Sequence, residues 1–381
     1  MKKIYLDYAA TTPVDKKVFE EMQPFFSKEY GNAASLHKMG EIAKDAIENS
    51  RENILKKANG KDHKLIFTSG GTESNNFALK GLAFANKEKK HIITTKIEHD
   101  CVLNSSKFLE KNGYKLTYLP VDKEGFINLE TLEKEITKDT LLVSIIHGNN
   151  EIGTIQDLKE ISKIVHEKKS LLHTDACQSF IKAPIDLKKE EIDLMTINAH
   201  KIYGPKGVGG LLVKEGIKLE PLLHGGGHEF GIRSGTSNVP GIVGFGKSVD
   251  AIKEEDVLHM EKLRDQLIKG LSDVEDSWVN GPLGKKRLCN NVNVTFRYAE
   301  GESILLLLDY KGIEVSTGSA CSSNTLEPSH VLRAIGLRQE DTHGSIRLSL
   351  GKETTKEDIS YTIDSIKEVV EQLRKMSPLK K

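Results

Sequence analysis

Residues 171–213 read LLHTDACQSFIKAPIDLKKEEIDLMTINAHKIYGPKGVGGLLV and contain three short apolar runs separated by polar or glycine-rich loops. Such runs, at 171–173, 194–197 and 210–213, are typical of strands that are buried in a sheet. The same pattern extends back to residue 63, with further runs at 65–68, 91–95, 115–118 and 141–146. Helical stretches alternate with these runs, and this alternation predicts an α/β fold with a mostly parallel sheet.

The stretches between the runs predict the crossover helices. Apolar residues at three-to-four spacing indicate helices over about 72–85, 104–111 and 157–169, and Asp157 is placed as an N-cap. After the Gly/Pro-rich stretch 224–246 the pattern changes. A long amphipathic helix, a strand at 292–296, a short apolar helix, a strand at 345–350 and a helix from Lys356 predict a smaller α+β unit.

The composition excludes several classes of protein. The 381 residues include 55 Lys and Arg and 55 Asp and Glu, so the chain lacks the basic excess of a dedicated nucleic-acid binder. The longest apolar runs, such as 304–308, are too short to span a membrane, and Asp7 interrupts the N-terminus before a signal-like segment forms. We therefore expect a cytoplasmic protein that binds neither nucleic acid nor membrane directly.

Polar side chains follow the predicted strands at five places. Ligands of open α/β sheets bind beyond the carboxyl ends of the strands. The glycine-rich turn 68–76 opens a helix and suits a phosphate.

His99 could stack on a planar ligand or move protons, and one amide of Asn149-Asn150 could bond a ring oxygen or a carboxylate. Asp175 follows a buried run and should face a cation or a strong donor. Lys201 lies among apolar residues, where desolvation favours the neutral amine that forms Schiff bases.

Each of these features alone has an ordinary structural interpretation. The glycine-rich turn could be a capped strand-to-helix turn, His99 a structural histidine and Lys201 a surface lysine. Together, a phosphate cradle, a stacking histidine, a buried aspartate and a Schiff-base lysine form the set that pyridoxal phosphate requires of a protein. We therefore predict a pyridoxal phosphate site at this edge of the sheet.

Two C-terminal segments suggest the substrate chemistry. Of the four cysteines, Cys101, Cys177, Cys289 and Cys321, no two have the C-x-x-C spacing of zinc or redox sites. Cys321 lies in the small, polar segment 316–324, which favours an exposed nucleophilic thiol. Arg347 interrupts the strand at 345–350, and its forked donors suit a carboxylate, although an internal salt bridge explains it equally well.

These segments together resemble the cysteine desulfurases of aminotransferase class V, which are fold-type I, aspartate aminotransferase-like pyridoxal phosphate enzymes. The similarity runs through 5–13, 35–37, 68–76, 98–99, 149–153, 198–207, 233–236, Cys321 and 329–336. The Ser-x-Gly-Ser-Ala-Cys segment at 316–321 is similar to that of the NifS/IscS group. The resemblance implies a large domain at 15–250 with a seven-stranded sheet, and a small domain from 1–14 and 251–381 that carries the cysteine segment.

The resemblance also implies a role for each matching residue. Lys201 would bind the cofactor covalently, His99 would stack on its ring and move protons, and Asp175 would pair with the pyridine nitrogen. Asn150 and Arg347 would hold the substrate carboxylate. Gln178 would contact the ring hydroxyl. The phosphate would be bound by Gly71, Thr72, Asn198, His200 and Thr236. Thr236 would come from the neighbouring subunit of a homodimer.

The implied reaction converts L-cysteine into L-alanine and leaves the sulfur on Cys321 as a persulfide. In this family the sulfur passes to an iron–sulfur scaffold protein or a tRNA-thiolation enzyme, and the loop cysteine can share a [2Fe-2S] cluster with the scaffold. A related class V lyase or transaminase is the main alternative, and Cys321 discriminates against it. A non-catalytic sulfur-trafficking adaptor would not need Lys201 and Asp175, and a nicotinamide dehydrogenase would need a G-x-G-x-x-G turn, which no strand precedes.

The sequence departs from the family pattern at three places. Asn198 stands where many relatives have serine, Phe230 replaces a frequent arginine, and Ala33-Ala34 replaces a common Pro-Ser. An amide can donate a hydrogen bond as serine does, so we expect a small effect at Asn198.

Overall fold

The central feature of the fold is a seven-stranded sheet. It is seen in a computed structural model that describes residues 3–317 and 328–376. Its strands are β2 (His63–Thr68), β3 (His91–Thr95), β4 (Lys115–Leu119), β5 (Thr140–Ser144), β6 (Leu171–Asp175), β7 (Leu194–Asn198) and β8 (Gly209–Lys214). Their order in the sheet is β2-β8-β7-β6-β5-β3-β4. Only β8 runs antiparallel to its neighbours, so the predicted mostly parallel sheet is confirmed. Strands β5 and β7 are buried along their whole length, which explains their continuous apolar runs.

Helices precede and connect these strands. They are α1 (Lys16–Met22), α2 (Pro24–Ser27), α3 (Lys38–Lys57), α4 (Gly71–Asn76), α5 (Leu82–Ala85), α6 (Asp100–Lys111), α7 (Leu129–Glu135), α8 (Leu158–Glu167) and α9 (Val239–Ser248). The side chain of Asp157 accepts a hydrogen bond from the N–H of Glu160, which confirms it as the N-cap of α8. The helix predicted over 72–85 is instead divided by a π-helical turn at Phe77–Gly81. The sequence did not predict this turn, because apolar periodicity does not distinguish the hydrogen bonds of a π-helix from those of an α-helix.

The C-terminal part contains a second, smaller sheet. Strands β10 (Asn291–Phe296) and β12 (Ser345–Ser349) pair antiparallel, and β9 (Ser277–Val279) pairs with the other edge of β10. The N-terminal strand β1 (Ile4–Tyr5) pairs with β11 (Ile313–Glu314), and Ile4 packs in the same apolar cluster as Val294. The helices of this part are α10 (Glu254–Ser272), α11 (Gly301–Tyr310), α12 (His330–Ala334), α13 (Gln339–Thr342) and α14 (Lys356–Met376).

Two features are absent from the described part of the chain. Over residues 3–317 and 328–376, no helix is both long enough and apolar enough to cross a membrane. Within the same ranges, no group of three or more His, Cys, Asp and Glu side chains is arranged to hold a metal ion.

Candidate functional site

A cavity of about 380 Å³ lies at the carboxyl ends of the strands of the large sheet. Its walls come from the segments that follow β2, β3, β5, β6 and β7, together with β12 and the N-terminal residues Ala9 and Ala10. Ten of the predicted site residues line it, namely Gly71, Thr72, His99, Asn150, Asp175, Gln178, Asn198, His200, Lys201 and Arg347. Thr236 is exposed and does not line the cavity of its own chain, and Cys321 lies outside the described residues.

One end of the cavity suits a phosphate group. Helix α4 begins after Gly70, which offers no side chain to cap the first turn. A Cβ atom at Gly71 would come within 2.7 Å of Cys177 Sγ and 3.3 Å of Asn198 Nδ2, so glycine leaves this space open. Burial lowers the pKa of His200 to about 4, which keeps its ring neutral. The first turn of α4 and the Asn198 amide therefore lie together where an anion can accept hydrogen bonds, and the His200 ring lines the same cavity.

Asp175 ends β6, and donors hold both oxygens of its buried carboxylate. Its Oδ2 accepts a hydrogen bond of 2.6 Å from Asn75 Nδ2, and its Oδ1 accepts one of 2.9 Å from the N–H of Cys177. Each oxygen keeps a further lone pair, and a protonated ring nitrogen would supply the cation that a buried carboxylate needs. No pattern in the sequence singles out Asn75, although it lies in the same glycine-rich segment as Gly71.

The N-terminal segment holds the amine of Lys201 at the cavity wall. Lys201 Nζ donates hydrogen bonds to the carbonyls of Ala9 and Ala10, the latter at 2.9 Å. The Ala9 carbonyl also accepts from Gln178 Nε2 at 2.8 Å. The sequence resemblance included residues 5–13, but it did not reveal that their backbone carbonyls contact the lysine.

His99 caps helix α6 with its ring. Its Nδ1 accepts a hydrogen bond of 3.2 Å from the N–H of Cys101, so the neutral ring carries its hydrogen on Nε2. Burial lowers the pKa of His99, which favours that neutral form at pH 7. The ring is therefore both fixed in orientation and able to exchange a proton at Nε2.

The cysteines in the described part of the chain are protonated. Burial raises the pKa of Cys101 and of Cys289 to about 12, and it also raises the pKa of Cys177 well above its ordinary value. Since the thiolate is the nucleophilic form, none of these three thiols is activated for attack at neutral pH, although Cys101 and Cys177 line the cavity.

Arg347 forms the internal salt bridge that the sequence left open, and the carboxylate-binding role stays a prediction. It lines the cavity, and its NH2 group forms an ion pair of 2.9 Å with Asp7 Oδ1. Its NH1 group donates to the carbonyl of Asn150 at 3.2 Å. The neighbouring Asn149 caps the turn by accepting hydrogen bonds from the N–H groups of Glu151 and Ile152.

Both described ends of the segment that contains Cys321 are attached to this site. Ser316 exchanges backbone hydrogen bonds with Arg347, while Ser329 Oγ donates to Glu151 Oε2 at 2.5 Å. Ser329 and His330 line the cavity, although neither residue has a role predicted from the sequence. The structure therefore places the residues on both sides of this segment beside the cavity.

Glu98, next to His99, is buried as a neutral acid. Its Oε1 accepts hydrogen bonds from Thr95 Oγ1 and from the N–H of Ile146, whereas no donor in the described chain reaches its Oε2. Burial raises the pKa of Glu98 from 4.5 to about 8. The folded protein therefore keeps a proton on Glu98 that the unfolded chain releases above its ordinary pKa.

We expect the stability of the wild type, compared with that of Glu98→Gln, to fall as the pH rises between about 4.5 and about 8. The stabilisation from the bound proton is complete below the unfolded pKa and is lost as the pH passes the folded pKa. The melting temperatures of both proteins, measured from about pH 5 to about pH 9, check this. Equal slopes for the two proteins would contradict the assignment of the proton to Glu98.

Comparison with known proteins gives a consistent result. The chain matches the family described as Aminotransferase class-V over residues 4–362. It is 52% identical over 384 residues to "Cysteine desulfurase IscS" of Dictyoglomus turgidum, which covers 100% of this chain and 97% of that protein. A solved structure described as a NifS-like protein has a TM-score of 0.91 and 41% identity, with 97% of this chain and 100% of that chain covered. A structure of SspA in complex with cysteine has a TM-score of 0.82 and 39% identity, with 93% of this chain and 100% of that chain covered.

Proposed function

Because the chain belongs to the aminotransferase class-V family, as one of its pyridoxal phosphate-dependent cysteine desulfurases, we propose that its cavity converts L-cysteine into L-alanine with Cys321 as the sulfur acceptor. The observation that carries this proposal is that Lys201, Asp175 and Arg347 line one cavity. The family enzymes act in iron–sulfur cluster biogenesis, and we propose the same role for this chain.

The residues of the cavity fit pyridoxal phosphate. Lys201 would bind its aldehyde carbon and Asp175 would face its ring nitrogen. Asn198 Nδ2 would lie 3.3 Å from a Cβ atom at Gly71, so this donor faces the space that a phosphate would occupy. When bound, the cofactor draws electrons away from the α-carbon of the amino acid. Gln178 would contact the ring oxygen, and His99 the ring face. Asn150 would contact the cofactor and, with Arg347, the substrate carboxylate. The phosphate would be held by Gly71, Thr72, Asn198 and His200.

The protein's own groups would bind the substrate and move its protons. Arg347 would bind the α-carboxylate, because a guanidinium donates two parallel hydrogen bonds to it. Lys201 Nζ would take the α-proton, and His99 would exchange a second proton with the substrate. The Cys321 thiolate would then attack the substrate sulfur, and the electron pair of the broken carbon–sulfur bond would stay on the carbon and become protonated. L-cysteine and the Cys321 thiol thus give L-alanine and a Cys321 persulfide.

Two observations support Cys321 as the nucleophile. The thiols of Cys101, Cys177 and Cys289 all have raised pKa values. Cys321 follows Ser316 by five residues in the sequence, and the backbone of Ser316 is hydrogen-bonded to the backbone of Arg347 in the cavity wall.

We also propose a homodimer in the cytoplasm, a compartment that keeps thiols reduced. Thr236, exposed and outside its own cavity, would reach the phosphate in the neighbouring subunit. The persulfide would pass to an iron–sulfur scaffold protein or a tRNA-thiolation enzyme, and Cys321 would ligate any [2Fe-2S] cluster shared with the scaffold. Packing of Ile4 with the C-terminal cluster supports a small domain from 1–14 and 251–381 beside a large domain at 15–250.

We predict that Arg347→Ala raises the KM for L-cysteine by about 100-fold, because it removes a charge-assisted pair with the substrate carboxylate. Steady-state kinetics of alanine formation check this. Arg338→Ala is a matched control, since Arg338 is exposed and pairs with Asp341 away from the cavity. An unchanged KM for Arg347→Ala would remove Arg347 from the substrate site.

A further inference from the structure

The N-terminal segment Asp7–Thr12 contacts the predicted site at several points. Asp7 forms an ion pair with Arg347, and the Ala9 carbonyl accepts from Gln178. Thr11 Oγ1 lies 3.2 Å from His200 Nδ1. Ala9 and Thr11 contact residues that are proposed to hold the cofactor. Asp7 instead contacts Arg347, the residue that is proposed to bind the substrate.

The guanidinium of Arg347 is held mainly by Asp7. A guanidinium has five N–H donors. The NH2 group reaches Asp7 Oδ1 at 2.9 Å, the NH1 group reaches the Asn150 carbonyl at 3.2 Å, and the buried Nε–H has no partner in the described chain. The side chain is only 4% exposed, and in the described chain Asp7 is the one carboxylate within ion-pair distance of it. A charge this far from water needs such a partner.

Asp7 is itself held firmly in place. Its backbone forms a parallel bridge with Ser349, two residues after Arg347 on β12. The Asp7 carbonyl accepts hydrogen bonds from Tyr5 OH at 3.0 Å and from the N–H of Ala10 at 3.0 Å. Its carboxylate is therefore anchored to the strand from which Arg347 extends.

We propose that Asp7 is a positioning residue, which holds the Arg347 guanidinium in the orientation that receives the α-carboxylate of the amino-acid substrate. Asp7 does not line the cavity, so it acts through Arg347. Among the described residues, the Asn150 carbonyl alone would hold the guanidinium without Asp7, and substrate binding would have to order a long side chain. The inference rests on the proposed function, in which Arg347 binds the substrate carboxylate.

The test compares ligands with and without a carboxylate on the holoenzyme. L-alanine carries the carboxylate and undergoes no desulfuration, and ethylamine is the same amine without it. Asp7→Ala should raise both the KM for L-cysteine and the Kd for L-alanine about tenfold, with kcat changed less than about twofold. The Kd for ethylamine, followed like that of alanine in the visible spectrum of the bound cofactor, should stay unchanged.

Two further variants make the test specific. Asp7→Asn keeps an oxygen that can accept from Arg347, so it should recover most of the loss and leave about a threefold increase in KM. Asp15→Asn is the matched control, because Asp15 follows the N-terminal segment by three residues but pairs with Lys352 at 2.6 Å, outside the cavity lining. If Asp7→Ala yields no folded holoenzyme, Asp7→Asn decides, and an unchanged KM in that variant overturns the proposal.

Other outcomes would also contradict the proposed positioning role of Asp7. Unchanged or tighter binding of L-alanine by Asp7→Ala would show that Asp7 does not help to receive the carboxylate. Equal weakening of ethylamine would show general damage to the site instead of a loss of orientation. Arg347→Ala separates this inference from the proposed function: if it leaves L-alanine binding intact, the carboxylate site itself is wrong. If Arg347→Ala weakens L-alanine and Asp7→Ala does not, only the role of Asp7 is wrong.

Discussion

Lys201→Ala is expected to give a folded protein that binds no cofactor covalently and makes L-alanine from L-cysteine at least about 10⁴-fold more slowly. Lys201 is the one lysine among the described residues that line the cavity. Its removal takes away both the amine that would hold the cofactor and the group that would take the α-proton. The visible absorbance of the purified protein, and mass spectrometry after borohydride reduction, measure the covalent bond directly.

Lys218→Ala serves as the control for this experiment. Lys218 is exposed and lies outside the cavity lining, so this variant should keep the visible absorbance and the activity. A Lys201→Ala protein that remains yellow, with a reducible adduct on another lysine, would show that the cofactor is attached elsewhere.

Cys321→Ser is expected to keep the cofactor and to bind L-cysteine, but to form no persulfide and to release sulfide at least about 10³-fold more slowly. Serine is nearly isosteric with cysteine, so the loss would come from the missing thiolate. The bound cofactor's response to L-cysteine in the visible spectrum measures binding, and labelling of the persulfide measures the transfer.

Cys289→Ser is a suitable comparison, because it also removes one thiol but lies buried outside the cavity lining. We expect this variant to transfer sulfur as the wild type does. Full sulfide release by Cys321→Ser would show that Cys321 does not accept the sulfur. Cys101 or Cys177, the described cysteines of the cavity wall, would then be the candidate acceptors.

The sequence was a good guide wherever local pattern determines the structure. Buried strands such as β5 and β7 produce continuous apolar runs, and parallel strands place the residues that follow them at one edge of the sheet. That is why Asp175, Lys201 and His99, far apart in the chain, could be expected to lie together. The cap at Asp157 was also predictable, because capping depends on a few adjacent residues.

The residues that sequence reasoning missed act through contacts between distant parts of the chain. Asn75 is 100 residues from Asp175, and Asp7 is 340 residues from Arg347. Neither interaction leaves a periodic pattern, since periodicity reports only which face of an element is buried. A buried carboxylate and a buried guanidinium each require a partner, so the sequence predicts that partners exist without identifying them.

The most direct test of the account is to give L-cysteine and a reductant to the purified holoenzyme and to quantify L-alanine, sulfide, pyruvate and ammonia together. We predict L-alanine and sulfide in equal amounts, both lost in Cys321→Ser. Pyruvate and ammonia as the products, or undiminished activity in Cys321→Ser, would contradict a persulfide-forming desulfurase and would indicate a lyase.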